Sequence, residues 1–106
     1  MRSIRCLLLA AVTCLPAAAD PLPAARQQEL EHLLYQDCGS CHGMSLTGGL
    51  GPALTPVALA GKPRALLTAT IREGRAGTPM PPWKDLLSEA DIDWLVETLT
   101  RAGETP

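Results

Sequence analysis

Two cysteines and a histidine within five residues constrain this 106-residue chain more than any other feature. They form the run Cys38-Gly39-Ser40-Cys41-His42, in which the histidine directly follows the second thiol. This spacing is typical of covalent haem attachment, in which both thiols bond to the porphyrin and the adjacent imidazole binds the iron. A zinc site would need four ligands, and a thioredoxin-like redox pair would need a βαβ context. We therefore predict one haem c, attached through Cys38 and Cys41.

The N-terminal segment has the composition of an export signal. Arg2 and Arg5 supply positive charge, residues 7–15 are apolar, and Ala17-Ala18-Ala19 offers small residues for cleavage. The apolar run is too short to cross a bilayer as a helix. We predict a signal peptide over residues 1–19, and hence a periplasmic protein without stable membrane insertion.

Removal of this signal would leave a small acidic domain, residues 20–106. Seven basic side chains would remain against eleven acidic ones, a formal charge of −4, which argues against nucleic acid and anionic membranes as partners. Cys6 and Cys14 would leave as well, so the thiols of the haem motif would be the only two. Lipid attachment at Cys14 is a weak alternative, because Thr13 is bulkier than such processing wants. A buried N-terminal helix is weaker still.

The apolar pattern of the remaining chain predicts helices and contains no strand pattern. The chain has no Phe, two Trp and one Tyr, so it has few large aromatic side chains for a hydrophobic core. A covalently attached porphyrin would supply the missing apolar volume. We predict an all-α domain, with Leu30, Leu33 and Leu34 on the apolar stripe of the first helix and Ile92, Leu95, Val96 and Leu99 on the buried stripe of the last. Its helices are Ala24–Asp37, a short one from Thr55-Pro56 to Ala60, one from Lys62-Pro63 to a stop at Gly74, and one from a cap at Ser88 to a stop at Gly103.

A methionine framed by prolines is the candidate for the second iron ligand. Met80 lies 38 residues after His42, in the run Thr78-Pro79-Met80-Pro81-Pro82, which is stiff without being helical. Most methionines fill cores, but Met44 is too close to His42 to reach the other face of a haem. His32 lies in a Glu/Gln-rich stretch typical of a solvated helix face. We predict His42 and Met80 as the axial ligands, a pairing used for electron transfer.

Further residues are candidates for contacts around the haem. The carbonyl of Pro52 is the natural acceptor for a hydrogen bond from the ring N–H of His42, the alternative being that Pro52 is simply a turn proline. Trp83 could meet the haem propionates through its indole N–H. Arg72, Arg75 and Lys84 could do so by charge, but for these three we favour a solvated surface.

Three motifs together resemble a class I cytochrome c over nearly all of residues 20–106. They are Cys38–Gly43, the run Gly51-Pro52-x-Leu54, and Pro79-Met80-Pro81-Pro82. More narrowly, the runs QDCGSCHGMSLTGGLGP, LTPVALAGKP and GRAGTPMPPW are similar to cytochrome c55X, a periplasmic family associated with nitrite reductase in denitrifying bacteria. The resemblance implies a class I cytochrome c fold around one haem c, with Pro52 and Leu54 beside it.

The resemblance also implies electron transfer rather than catalysis, with cytochrome cd1 nitrite reductase as the expected partner of a monomer or weak dimer. Three alternatives stay open. The first is an accessory role in haem d1 biogenesis, the second is a cytochrome subunit of another periplasmic oxidoreductase, and the third is a haem sensor or peroxidase with a loosely held Met80.

One departure from class I cytochromes concerns the crossing of the first and last helices. The family usually places an aromatic residue on each helix there, whereas this chain has Leu34 and Thr98 at those positions. Tyr35 and Trp94 lie nearby but off the predicted apolar stripes. We therefore expect either a shifted crossing or a partly exposed Trp94, which could then contact a partner. Full burial of Trp94 against the first helix would contradict that hypothesis.

Overall fold

The computed structural model describes residues 11–15 and 21–101. Within these ranges all regular structure is helical, which confirms the all-α prediction. The elements are α1 (Ala24–Leu33), a π-helical turn (Leu34–Cys38), α2 (Gly39–His42), α3 (Pro56–Leu59), α4 (Arg64–Glu73) and α5 (Glu89–Thr100). No helix in the described part of the chain is long and apolar enough to cross a membrane.

The first helix is longer than the sequence predicts. It begins at Ala24 as expected, but continues through the π-helical turn and α2 to His42, whereas we predicted its end at Asp37. The turn is closed by the N–H of Gly39, which donates to the carbonyl of Leu34 five residues earlier. The cysteine-histidine motif therefore lies on the last turns of a continuous helix. The sequence carries no local signal for the π-helical turn, a rare element that often occurs at functional sites.

Local capping chemistry sets the starts of α3 and α5 where the sequence predicts them. The Thr55 hydroxyl accepts a hydrogen bond from the N–H of Ala58, and Pro56 occupies the first helical position. At α5, Ser88 and Asp91 form a reciprocal capping box, each side chain accepting from the other's backbone N–H. Helix α4 ends at Gly74, as predicted, with φ of 67°.

Helix α5 is the centre of the fold, packing against α1, α3 and α4. Its apolar stripe is the predicted one, because Ile92, Leu95 and Val96 are almost fully buried and Leu99 packs against the core. The buried cluster consists of Leu30, Leu34, Leu46, Leu87, Ile92 and Leu95. Ion pairs link α5 to two neighbouring helices. Arg26 of α1 pairs with Asp91. On α4, Arg64 pairs with Asp93 and Arg72 pairs with Glu89.

The crossing of α1 and α5 uses no aromatic pair. Leu34 is buried there, Thr98 is half-buried, and Tyr35 and Trp94 pack against the rim of the core cluster while staying partly exposed. Partial exposure of Trp94 agrees with one of the two expectations from the sequence. Its role as a partner contact stays a prediction.

Some sequence predictions fall on residues outside the described ranges. The proposed signal peptide lies there except for residues 11–15, which form no helix and include the exposed Cys14. The predicted stop at Gly103 also lies beyond the described residues, and α5 ends at Thr100.

Candidate functional site

The end of the first helix presents two thiols and an imidazole together. Cys38 is the last residue of the π-helical turn, and Cys41 and His42 are the last two residues of α2. Both cysteines are half-buried and free, and both line the same cavity. Burial raises the pKa of the Cys38 thiol to about 11. A nucleophilic redox cysteine has a lowered pKa instead, so the thioredoxin-like alternative finds no support at this position.

The imidazole of His42 is held by the glycine-rich loop that follows α2. Its Nδ1–H donates to the carbonyl oxygen of Pro52 over 2.7 Å, the hydrogen bond that the sequence predicts. This bond assigns the proton to Nδ1 and leaves Nε2 as the nitrogen able to bind a metal. It also fixes the plane of the ring and increases its basicity as a ligand.

A glycine makes this close approach possible. A Cβ atom added to Gly51 would lie 2.8 Å from both Cε1 and Nδ1 of His42, inside van der Waals contact. The backbone of the loop also folds back onto the end of α2. The N–H groups of Gly48 and Gly51 donate to the carbonyls of His42 and Cys41, each over 2.8 Å. These bonds satisfy helix-terminal carbonyls and lock the loop against the imidazole.

A second closed loop carries Met80. It leaves α4 at Gly74, where an added Cβ would lie 2.6 Å from the Met80 carbonyl oxygen. The N–H of Arg75 donates to that oxygen over 3.2 Å, and the N–H of Met80 donates to the Thr78 hydroxyl over 3.3 Å. At the far end, the N–H of Trp83 donates to the carbonyl of Ile71 on α4. The proline-rich loop is therefore tied to α4 at both ends.

One cavity of about 860 Å³ brings the predicted residues together. The two thiols, His42 and Met80 all line it. So do the other residues that we predicted to contact the cofactor, namely Pro52, Leu54 and Trp83. The volume is within the range of small-molecule sites. The structure thus places every predicted site residue around a single space.

The lining of this cavity fits haem c. Helix α4 contributes Leu66, Leu67 and Ile71, and α5 contributes Leu95 and Leu99, so the walls are mainly apolar, as a porphyrin face requires. Leu66 is 52% exposed because its side of α4 faces the cavity rather than other protein atoms. Two thiols and a free imidazole nitrogen at the same cavity complete the donor set for covalent attachment and iron binding.

The structure separates the cations that the sequence grouped together. Arg72 binds Glu89 and Lys84 binds Glu73, which raises the pKa of both cations through these hydrogen bonds, and neither side chain lines the cavity. Arg75 does line it, together with Lys62, a residue that sequence reasoning missed. Lys62 follows Gly61 in a turn between helices and carries no local signal that distinguishes it from a surface lysine.

Comparison with known proteins agrees with this geometry. Residues 25–97 match the protein family described as cytochrome C oxidase, cbb3-type, subunit III. The chain is 62% identical over 93 residues to a cytochrome c55X of Pseudomonas aeruginosa, covering 87% of this chain and 78% of that relative. It is also 56% identical over 101 residues to a cytochrome c55X of Stutzerimonas stutzeri, covering 94% of this chain and 89% of the relative.

Solved structures show the same fold. A c-type cytochrome NirC superposes with a TM-score of 0.73 at 64% identity, covering 74% of this chain and 93% of NirC. A dihydro-heme d1 dehydrogenase NirN in complex with DHE superposes with a TM-score of 0.65 at 36% identity. That match covers 71% of this chain but only 16% of NirN, so it concerns one part of a much longer protein.

Proposed function

Since this chain belongs to the cytochrome c55X family of c-type cytochromes, whose cofactor is haem c, we propose that it is a periplasmic one-electron carrier in denitrification. We assign Cys38 and Cys41 to covalent attachment, and His42 and Met80 to the two axial positions of the iron. The observation that carries the proposal is that all four side chains line one apolar cavity. When bound there, haem c supplies an iron that takes up and releases one electron.

The protein's part in this proposal is to hold two ligand arms still. The Pro52 carbonyl keeps His42 in one tautomer and one ring orientation, and Gly51 lets the loop close onto the ring. The N–H of Arg75 and the hydroxyl of Thr78 bind the backbone of Met80 and close its loop, and the N–H of Trp83 joins that loop to the carbonyl of Ile71 on α4. Ligand arms fixed in this way need not rearrange when the charge at the iron changes, which favours rapid electron exchange.

The same assignment argues for electron transfer rather than catalysis. If His42 and Met80 both hold the iron, no coordination site would remain there for a substrate. The apolar walls from α4 and α5 would keep water away from a haem bound between them. A peroxidase or sensor would require Met80 to leave, so a high-spin oxidised spectrum would contradict the proposal.

Export is the part of the proposal that concerns the N-terminus. The order of charge, apolar run and small residues in 1–19 supports a cleaved signal, and haem attachment to exported thiols requires such a route. Intact mass spectrometry of the protein from a periplasmic extract tests this. We expect a chain that begins at Asp20 with one haem attached. A lipid-modified N-terminus at Cys14, or an uncleaved chain, would contradict it.

The proposed partner is cytochrome cd1 nitrite reductase. The test is stopped-flow mixing of the reduced, haem-loaded protein with oxidised cytochrome cd1, followed by its absorption. We expect transfer that saturates with cytochrome cd1 concentration and slows at high salt if charged surfaces steer the encounter. Transfer no faster than to an unrelated oxidised cytochrome would contradict a carrier role toward this enzyme.

A second function is favoured by one observation, the match to part of a dihydro-heme d1 dehydrogenase. A domain of the same fold within that enzyme suggests that a free carrier of this family could receive electrons from haem d1 synthesis. The discriminating experiment mixes the oxidised protein with such a dehydrogenase and its substrate. Reduction there, combined with failure to reduce cytochrome cd1, would assign the protein to haem d1 biogenesis.

A further inference from the structure

Two cations at the rim of the haem cavity lack a carboxylate partner. Lys62 and Arg75 both line this cavity, and neither side chain forms an ion pair or hydrogen bond with residues 11–15 or 21–101. The other arginines and lysines in these ranges each pair with at least one carboxylate. The pairs are Arg26 with Glu29 and Asp91, Arg64 with Asp93, Arg72 with Glu89, Lys84 with Glu73, and Arg101 with Glu97.

This pattern is unexpected in a chain with more acidic than basic residues. Carboxylates are abundant enough to pair with every cation, yet the two without a partner are the two at the cavity. A cation beside apolar walls is stabilised by an anion in the same space. The cavity residue of opposite charge, Asp37, directly precedes Cys38 and thus belongs to the attachment end of the site.

Haem c carries two propionate carboxylates, on a different edge of the porphyrin from its thioether bonds. We propose that Lys62 and Arg75 bind these two carboxylates, and that their positive charge raises the reduction potential of the iron. The proposal rests on the haem attachment at Cys38 and Cys41 proposed above. It matches two cations without partners to the two anionic groups that the cofactor brings.

The backbone around both residues is fixed, which gives the side chains defined origins. The N–H of Lys62 donates to the carbonyl of Leu59 over 3.1 Å, in the turn between α3 and α4. The N–H of Arg75 donates to the carbonyl of Met80 over 3.2 Å. Arg75 therefore connects the segment of the proposed axial methionine to a propionate, and is a positioning residue for the haem.

The test replaces each cation in the haem-loaded protein by a neutral side chain of similar length. Lys62→Met and Arg75→Met are compared with Lys84→Met and Arg64→Met, which remove the same charges from ion pairs outside this cavity. The readout is the equilibrium constant for reduction by a mediator dye, measured optically. We expect the Lys62/Arg75 double variant to lower this constant about tenfold, which is about 59 mV for a one-electron couple. The matched double control should change it less than twofold.

A second readout reports on the propionates themselves. Resonance Raman spectra contain a propionate bending mode that shifts when its hydrogen bonds are lost. We expect that shift in Lys62→Met and Arg75→Met, its absence in both controls, and recovery of the wild-type frequency and potential in Arg75→Lys. A normal haem content with unchanged potential and unchanged bending mode would overturn the propionate assignment alone. Loss of covalent haem from the wild-type protein would instead overturn the attachment site and with it the proposed function.

Discussion

Substitution of Gly51 by alanine should displace the imidazole of His42. The backbone of Gly51 is not in the left-handed region, so the effect comes from contact alone. The new Cβ would lie 2.8 Å from Cε1 and from Nδ1 of His42, where ordinary contacts begin near 3.4 Å. Ring and loop must therefore separate by at least about 0.6 Å. That movement stretches the 2.7 Å bond from Nδ1 to Pro52 to the limit of a hydrogen bond.

The magnitude follows from the lost bond and the crowding. A net hydrogen bond contributes about 1 kcal/mol, and overpacking costs about 1–3 kcal/mol, so we expect a loss of about 2–4 kcal/mol in the free energy of unfolding. For a domain of this size, the melting temperature should fall by at least about 8 °C. The reduction potential should rise, because a histidine without its hydrogen-bond acceptor is a less basic ligand and stabilises oxidised iron less.

The matched control is Gly39→Ala. Gly39 is helical, with φ of −60°, and its added Cβ meets nothing closer than 3.5 Å, which is ordinary contact. Alanine there should leave the potential unchanged and raise stability slightly, because it restricts the unfolded chain. Thermal unfolding followed by circular dichroism and optical redox titration measure both quantities. Equal melting temperatures and potentials for the two alanine variants would refute the argument that Gly51 controls the imidazole.

Further predictions concern the ends of α1 and α5 and the methionine segment. Hydrogen bonds from Arg26 hold the pKa of Asp91 below its usual range. The pair therefore stabilises the fold at any pH above the pKa that Asp91 has in the unfolded chain. This contribution is lost as the pH falls through the lower pKa that Asp91 has in the folded protein. Asp91→Asn should therefore lower stability at neutral pH and weaken its acid dependence, as urea unfolding from pH 2 to 7 would reveal. Gly74 has a positive φ, and a Cβ added there would lie 2.6 Å from the Met80 carbonyl oxygen. Gly74→Ala should therefore loosen the Met80 segment and increase the rate at which added imidazole binds the oxidised haem. An unchanged rate would argue against a role of Gly74 in holding that segment.

Local chemistry explains which parts of the fold could be predicted from the sequence. Thr55-Pro56 and Ser88 with Asp91 are capping patterns whose hydrogen bonds form within four residues, and both helices begin where these patterns place them. The haem motif and the proline-framed Met80 are equally local. The cavity that the haem motif and Met80 share forms because α1 and α4 both pack against α5.

Features that depend on tertiary packing could not be predicted. The π-helical turn Leu34–Cys38 has no sequence marker, and the first helix continues through it and through α2 past the predicted end at Asp37. Lys62 follows Gly61 and Lys84 follows Trp83, and neither position carries a local signal that separates a cavity lysine from a surface lysine. Only the fold places Lys62 at the cavity and Lys84 beside Glu73.

The most direct test of the proposed axial pair is the absorption spectrum of the oxidised protein. Iron bound by a thioether sulfur has a weak band at the red end of the spectrum. We expect this band in the wild type and in Met44→Ala, which replaces an exposed methionine close to His42 in the chain. Met80→Ala should lose the band while keeping its covalent haem. Persistence of the band in Met80→Ala, or its loss in Met44→Ala, would contradict the assignment of Met80 as the second axial ligand.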